Sequence, residues 1–471
     1  MSMEHSTDVV VIGGGPAGST MASFLAMKGH AVTVLERERF PREHVGESML
    51  PFCYHVFKEL GILEEMEERF VRKPGVRFID VDGLTHTAWC FSHHITDDSS
   101  LSFQVIRSEF DDVLLKHSAR LGATVYEETR VVNVDLDDTG GDVYATGPGG
   151  EALHIRARFV VDASGRDTFM SNRLGTKVAH KELERTALSC SYWRGAKFKD
   201  TLEEGLIQIV YLGGEKQGWI WCIPLGNDRL SVGAVMNTAY YRSQRAKLRA
   251  QGVDDWKLAL YLQELEAAPF TKDILDGAHM QRELMVNGDY SYFCKQKWGD
   301  TFCLVGDASA FIDPIFSSGV FMAMNSSRIV SNAVHQRLAD GVATSEPAFV
   351  DAYERVVSAY EVIDKLIRLF YTPEAINFAQ LGSAQEAFPD FDHYRNAIAV
   401  YHFLIGGDFF EAANKYSEFI ERLREPQMFD KYRRLVIDRP SLSATSCGVA
   451  HELAFHPGLQ EHEPRRERDR I

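Results

Sequence analysis

The chain has 471 residues, 45% hydrophobic and 25% charged, enough for a sizeable core and for two or three domains' worth of structure. Its formal net charge of −16 argues against a nucleic-acid face or an anionic membrane surface, and no apolar run reaches the roughly 18 to 20 residues of a spanning helix. The seven cysteines are odd in number and form no CxxC pair, which predicts reduced thiols and no metal site; with no basic-then-apolar stretch at the N-terminus, the expected location is the cytoplasm.

Val9 to Ile12 form an apolar run of the kind a parallel strand buried on both faces shows. Gly13, Gly15 and Gly18 follow at G-x-G-x-x-G spacing, then a helical stretch to Lys28 ended by Gly29, then a strand from Ala31 to Leu35 closed by Glu36. Gly13 permits the tight turn, Gly15 lets a pyrophosphate approach the backbone, and Gly18 lets helix and strand pack closely. The helix start offers free N–H groups to phosphate, and Glu36 stands where a carboxylate takes ribose hydroxyls. This unit suits FAD and NAD equally. In IRSEFDDVLL (106–115), Ser108 reads as a helix N-cap with Asp111 three residues on, and Gly122 as the stop. GPGG (147–150) and GGEKQG (213–218) read as hairpin turns, and no second strand-GxGxxG-helix unit follows.

From about 180 to 290, the runs LSCSYWRGA, LIQIVYLG, WIWCIPL and LSVGAVM alternate with turns, and residues 77–106 read as further strands of the same sheet. Within WIWCIP, period two places Trp219, Trp221 and Ile223 on one face and Ile220 and Cys222 on the other. Pro224 ends the strand or marks an edge, and Gly226-Asn227-Asp228 turns into a strand from Leu230 to Met236. The bare pattern makes the two tryptophans core aromatics. A helical stretch begins at RSQRAKLRAQ. In TFCLVGDASAFIDPIFSSGV (301–320), the strand Phe302–Val305 runs into Gly306-Asp307, then Asp313-Pro314 and Ser317-Ser318-Gly319, with Ser318 compatible with a helix cap. After 340 the pattern is helical, with an aromatic stripe of Phe349, Tyr353, Tyr360, Phe370 and Tyr371, then Tyr401-His402-Phe403; stripes of this kind read as core. EHEPRRERDRI (461–471) reads as a disordered tail.

The Gly306-Asp307 segment resembles that of the glutathione-reductase-type FAD proteins, and RFVVDASG (158–165) and Arg107 resemble two further segments of that group. W-x-W-x-I-P (219–224) matches the signature of the flavin-dependent halogenases letter for letter. The similarity extends over roughly residues 5–340 through GGGPAGST, FPREHVGESMLP (40–51) and GDASAFIDPIFSSGV. It is closest to the branch acting on phenolic or carrier-tethered aromatics.

The resemblance implies an α/β chain with a glutathione-reductase-type FAD-binding fold over 1–76, 104–180 and 291–340. It further implies an antiparallel-sheet substrate side over 77–103 and 181–290, and a helical C-terminal region over 341–460. FAD, supplied as FADH2, would be held by Gly13, Gly15, Pro16, Ala17, Gly18, Ser19, Glu36, Arg37, Arg42, Gly46, Glu47, Ser48, Arg107, Asp162, Gly165, Gly306 and Asp307, with Asp307 at the ribityl chain. Halide, chloride or bromide, would lie at Pro314, Ser317, Ser318 and Gly319, and O2 is the second co-substrate. In the family a flavin C4a-hydroperoxide oxidises halide, and hypohalous acid travels through a tunnel to a lysine.

The matching stretch here is FVRKPGVRF (70–78), which makes Lys73 the candidate; Pro74 follows directly, and Val76-Arg77 replace smaller residues of relatives. Burial of Lys73 would lower its pKa. Trp219 and Trp221 are the family's motif tryptophans, held to keep the flavin from acting as an ordinary monooxygenase. The implied partners are a separate NAD(P)H-dependent flavin reductase and an aromatic substrate, free or tethered to a carrier protein. The glutamate that assists the lysine in free-tryptophan halogenases has no match, which argues against free tryptophan. The alternatives are an aromatic hydroxylase of the same fold, a reductase of isoprenoid double bonds, and a flavin-binding protein without turnover. Against a single-component hydroxylase, Asp162-Ala163-Ser164-Gly165 stands where those enzymes carry an Asp-Gly pair.

Overall fold

The computed structural model describes residues 3–93, 95, 97–180, 183–189, 192–197, 205–281, 284–288, 291–372, 377–380, 407 and 409–410. Tyr401-His402-Phe403 and the 461–471 tail lie outside them.

A seven-stranded sheet runs in the order Thr124–Tyr126, Val32–Leu35, Met3–Ile12, Ala152–Asp162, Gly140–Thr146, Arg130–Asp137, with Phe302–Leu304 added along the end of Ala152–Asp162. Val9 and Val11 enter one hydrophobic cluster and Val10 and Ile12 another, so the four-residue apolar run is explained by cover on both faces. The helix Pro16–Met27 packs on this sheet's neighbour, the long helix Ser318–Asp340, which in turn packs on Val342–Phe370. Four parallel strands stop level: Ile12 lies beside both Leu35 and Asp162, and Asp162 beside Leu304. The turns that follow them therefore share one edge, the carboxyl edge where α/β sheets bind ligands.

A nine-stranded sheet covers the other side, in the order His279–Met280, Trp193–Arg194, Leu230–Asn237, Gly218–Pro224, Ile207–Leu212, Gly75–Ile79, His86–Cys90, with Arg185–Ser189 and Met285–Gly288 branching from Leu230–Asn237. It is antiparallel except where Ile207–Leu212 runs parallel to Gly75–Ile79, strands too far apart in sequence for a hairpin to set their direction. The tryptophan strand divides as period two requires. Trp219, Trp221 and Ile223 enter the central cluster, whereas Ile220 and Cys222 enter a second one closed by the helices Thr238–Ala250, Trp256–Ala267 and Pro269–Ile274.

Three expectations need correction. The helix Arg107–Arg120 begins before Ser108, with Ile106 at its N-cap and no side-chain cap; Asp111 is drawn instead to Arg107 and Arg42. Ser318 does not cap its helix either: Ser317 is the N-cap residue, in the left-handed region at φ 55°, again without a side-chain bond. Cys90 is disulfide-bonded, with its partner outside the described residues, so the thiols are not all reduced; an odd count without CxxC spacing does not exclude a single bridge. Cys53, Cys222, Cys294 and Cys303 are free and buried. Among the described residues no helix is long and apolar enough to cross a membrane, and no cluster of three metal-ligating side chains occurs.

Candidate active site

The carboxyl edge of the seven-stranded sheet gathers Gly13–Ser19, Glu36, Arg37, Asp162–Gly165 and Gly306–Asp307. A Cβ on Gly18 would lie 1.9 Å from the Gly13 carbonyl oxygen, and one on Gly13 2.5 Å from the Ala163 oxygen, so the protein's own packing demands both glycines. A Cβ on Gly15 would meet only Arg42 Nη2 at 3.4 Å; that bare backbone is left for a ligand. The Gly14 N–H donates to Glu36 Oε2 (2.6 Å) and the Glu38 N–H to Oε1 (2.9 Å), fixing the carboxylate at the strand end. Pro16 and Ala17 open the helix, and the Ser19 hydroxyl donates to the Gly14 carbonyl (2.7 Å). Arg37 pairs with Asp167. Asp162 accepts from the N–H groups of Ser164 (2.9 Å) and Met170 (2.7 Å), so it shapes the turn that carries Gly165.

Arg107 forms a two-pronged bond with buried Asp111 at 2.9 Å on both prongs, and Arg42 Nη1 reaches the same carboxylate at 2.9 Å. Burial pushes the Asp111 carboxyl up, but the two guanidiniums outweigh it and hold it below its ordinary value. Arg107 also donates to the Val45 carbonyl (2.7 Å). Through it the helix Arg107–Arg120 holds the turn before Gly46, Glu47 and Ser48. Burial raises the Asp307 pKa to about 6 against the opposing pull of Arg107 and Arg166. Thr20, Ser48 and Ser309 carry buried hydroxyls without a hydrogen-bond partner, each costing about 1–3 kcal/mol while unmatched. A glycine-lined edge, a ribose-type carboxylate and unmatched hydroxyls on three converging segments fit FAD.

Lys73 ends the short strand Val71–Lys73, which pairs with Ser102–Gln104. The segment Glu47–Met49 binds the same strand from its other side, with Met49 N–H to the Phe103 carbonyl at 3.0 Å. Lys73 is therefore delivered to the Glu47–Met49 segment: its Nζ donates to the Met49 carbonyl (2.9 Å) and lies 5.4 Å from the Phe91 ring centroid. The side chain is 2% exposed and has no carboxylate partner among the described residues. Desolvation lowers its pKa to about 7, with the Cys53 thiol opposing. Neighbouring Arg72 is committed elsewhere, to Glu67 (2.9 Å) and the Leu101 carbonyl (2.8 Å).

The tryptophans are hydrogen-bonding hubs as well as core. The Trp221 ring lies over Gly233 of the neighbouring strand, where a Cβ would stand 2.1 Å from it. Its Nε1–H donates to the Ser231 hydroxyl (3.1 Å), which donates to Glu47 Oε1 (3.1 Å). Burial raises the Glu47 pKa. Trp219 Nε1–H donates to the Tyr371 hydroxyl (2.9 Å), which donates to Asp313 Oδ2 (3.0 Å). Asp313 opens the turn of Pro314, Ser317, Ser318 and Gly319: its Oδ1 accepts from the Ile315 N–H (3.0 Å), and the Ser317 N–H donates to the Pro314 carbonyl (2.9 Å). A Cβ on Gly319 would meet only Phe311, at 3.6 Å. Ordinary van der Waals contact with one ring does not require a glycine here. Ser231, Gly233, Asp313, Tyr371 and Met49 were not legible as site residues, because cross-strand register and a contact spanning 152 residues place them.

An FAD binding domain model matches residues 6–358. The chain is 33% identical over 401 residues to a tryptophan 2-halogenase of Chondromyces crocatus, covering 81% of this chain and 73% of that one. It is 32% identical over 350 residues to a 1H-pyrrole-2-carbonyl-[peptidyl-carrier protein] chlorinase of Pseudomonas fluorescens, covering 70% and 76%. Among solved structures, the myxobacterial chondrochloren halogenase CndH superposes with a TM-score of 0.70 at 34% identity, covering 78% of this chain and 83% of that one. The flavin-dependent brominase Bmp2 gives 0.73 at 26%, covering 91% and 99%.

Proposed function

Because the chain belongs to the flavin-dependent halogenases, we propose that it chlorinates or brominates an electron-rich aromatic substrate, with Lys73 as the residue that presents the halogen. The observation that carries this reading is the burial of Lys73, with a pKa near 7, against Met49, the residue after the Gly46–Ser48 run assigned here to the cofactor. FAD, when bound and reduced, supplies the activation of O2 that brings halide to the oxidation level of hypohalous acid. The chain's own residues do the rest. Gly15, Glu36, Ser48, Arg107 and Asp307 hold the cofactor; the N–H groups of Ser318 and Gly319, at the positive end of a 23-residue helix, hold the halide. At pH 7 an ordinary lysine with pKa 10.5 is neutral to roughly 0.03%, whereas one near 7 is about half neutral. A neutral amine has the lone pair that accepts or orients an electrophilic halogen; an ammonium does not. Phe78 packs against the rings of Trp89, Tyr211 and Phe370, and Phe370 against Phe316, forming one buried aromatic cluster.

A single nucleotide-binding unit in the sequence supports delivery of reduced FAD by a separate NAD(P)H-dependent reductase. The relatives include one named for tryptophan and one for a carrier-bound pyrrole at near-equal identity, 33% and 32%, which supports an electron-rich aromatic, free or carrier-tethered. The test is to combine the enzyme with FAD, a flavin reductase, NADH, bromide and a panel of phenols, indoles and carrier-bound pyrroles. Product carrying bromine's paired isotope pattern is expected; hydroxylated product alone, indifferent to halide, overturns the proposal.

A further inference from the structure

We propose that Tyr371 is a positioning residue for halide binding, locking Trp219 to the Asp313–Gly319 turn; this rests on the assignment of the halide to that turn. The direction of the relay is forced. An indole N–H donates and cannot accept, so the Tyr371 oxygen must accept from Trp219 (2.9 Å) and its own proton must go to Asp313 Oδ2 (3.0 Å). Asp313 then has both oxygens engaged, Oδ1 by the Ile315 N–H at 3.0 Å. A carboxylate pinned at both oxygens sets the start of a turn whose fourth residue after it, Ser317, sits at φ 55°, a conformation that persists in a non-glycine residue only when its surroundings over-determine it. The Arg185 guanidinium, 4.2 Å from the Tyr371 ring centroid, fixes the ring from the strand Arg185–Ser189. The two motif tryptophans thus divide their hydrogen bonds: Trp221 reaches through Ser231 to Glu47, and Trp219 through Tyr371 to Asp313.

Tyr371 follows the helix Val342–Phe370 as its C-cap and lies beyond the residues 6–358 that match the FAD binding domain model. The nucleotide-binding match therefore does not account for it. A built-in control exists on the far side of the same sheet. There Trp193 Nε1–H donates to the Tyr261 hydroxyl (3.0 Å), which donates to the Val232 carbonyl (3.0 Å), a relay of the same make that touches no halide residue.

The experiment compares Tyr371→Phe, Tyr261→Phe and Gly319→Ala as FAD-loaded enzymes, each first shown folded by thermal unfolding. Halide affinity is read twice, from the halide KM and from halide titration of oxidised enzyme followed by flavin fluorescence. Ultraviolet resonance Raman spectra report the indole N–H hydrogen bonds. Tyr371→Phe is expected to raise the halide KM and Kd about tenfold, the scale of one lost hydrogen bond to a carboxylate, to leave kcat at saturating halide within about twofold, and to weaken one indole hydrogen bond. Tyr261→Phe is expected to weaken an indole bond without moving halide affinity. If Gly319→Ala weakens halide binding and Tyr371→Phe does not, the role of Tyr371 is refuted and the halide assignment stands. If neither variant changes halide affinity, the assignment itself fails. If both tyrosine variants lower kcat and halide affinity alike, the effect is general destabilisation and the proposal is wrong.

Discussion

Replacing Lys73 with methionine should make the protein more stable while removing the amine from the site. The side chain is 2% exposed, and its pKa falls from 10.5 to about 7 on folding because burial disfavours the ammonium. Below pH 7 that gap corresponds to roughly 4 to 5 kcal/mol against the folded state, at 1.36 kcal/mol per pH unit. Methionine removes this cost and loses the hydrogen bond to the Met49 carbonyl, worth about 1 kcal/mol. A net gain on the order of 3 kcal/mol follows at pH 6 to 7. Between pH 7 and 10.5 the unfolded chain holds a proton that the folded chain lacks, so the wild type gains stability as pH rises through this window. The advantage of Lys73→Met should therefore shrink by roughly 2 to 3 kcal/mol between pH 6 and pH 9. Urea unfolding of both proteins at several pH values measures it. A variant less stable than wild type at pH 6, or an advantage that does not change with pH, would refute the buried neutral amine.

The same titration predicts that halogenation loses rate as pH falls below about 7, approaching tenfold per pH unit well below it; a profile flat from pH 8 to pH 5 contradicts the need for a neutral Lys73. Gly18→Ala forces a Cβ to 1.9 Å from the Gly13 oxygen and should reduce FAD affinity at least a hundredfold in equilibrium dialysis; unchanged affinity would mean the turn relaxes freely. Arg107→Ala leaves Asp111, fully buried, with only Arg42, at a cost of about 3 to 5 kcal/mol in chemical denaturation. A loss under 1 kcal/mol would show that Arg42 alone satisfies the carboxylate.

The nucleotide end was legible because its requirements are local. Val9 to Ile12, three glycines and Glu36 lie within one strand-turn-helix-strand unit, and the structure explains Gly13 and Gly18 by contacts of that unit and of Ala163. The facing of Trp219 and Trp221 was equally legible from period two. What those rings do was not, since Trp221 depends on Gly233 and Ser231 through strand register and Trp219 on Tyr371, a helix C-cap 152 residues away. Lys73 carries no pattern of its own, and a lysine is ordinarily exposed; only the match of its segment singled it out, and the ladder of Glu47–Met49, Ser102–Gln104 and Val71–Lys73 supplies the physical reason for its burial. The Ser108 cap failed for a different cause. Asp111 sits at capping-box spacing, but two guanidiniums outcompete a backbone N–H for its carboxylate. The parallel joint between Gly75–Ile79 and Ile207–Leu212 is a long-range pairing that alternation does not encode, and nothing in the cysteine spacing marks Cys90 as bonded.

The most direct test of Lys73 as the halogen-presenting residue is halogenated product formation by wild type and Lys73→Ala under identical reduced-FAD supply, with flavin binding measured on both. The account predicts that the variant binds FAD as the wild type does, consumes O2, and yields no halogenated product. A Lys73→Ala enzyme that halogenates at the wild-type rate would contradict it.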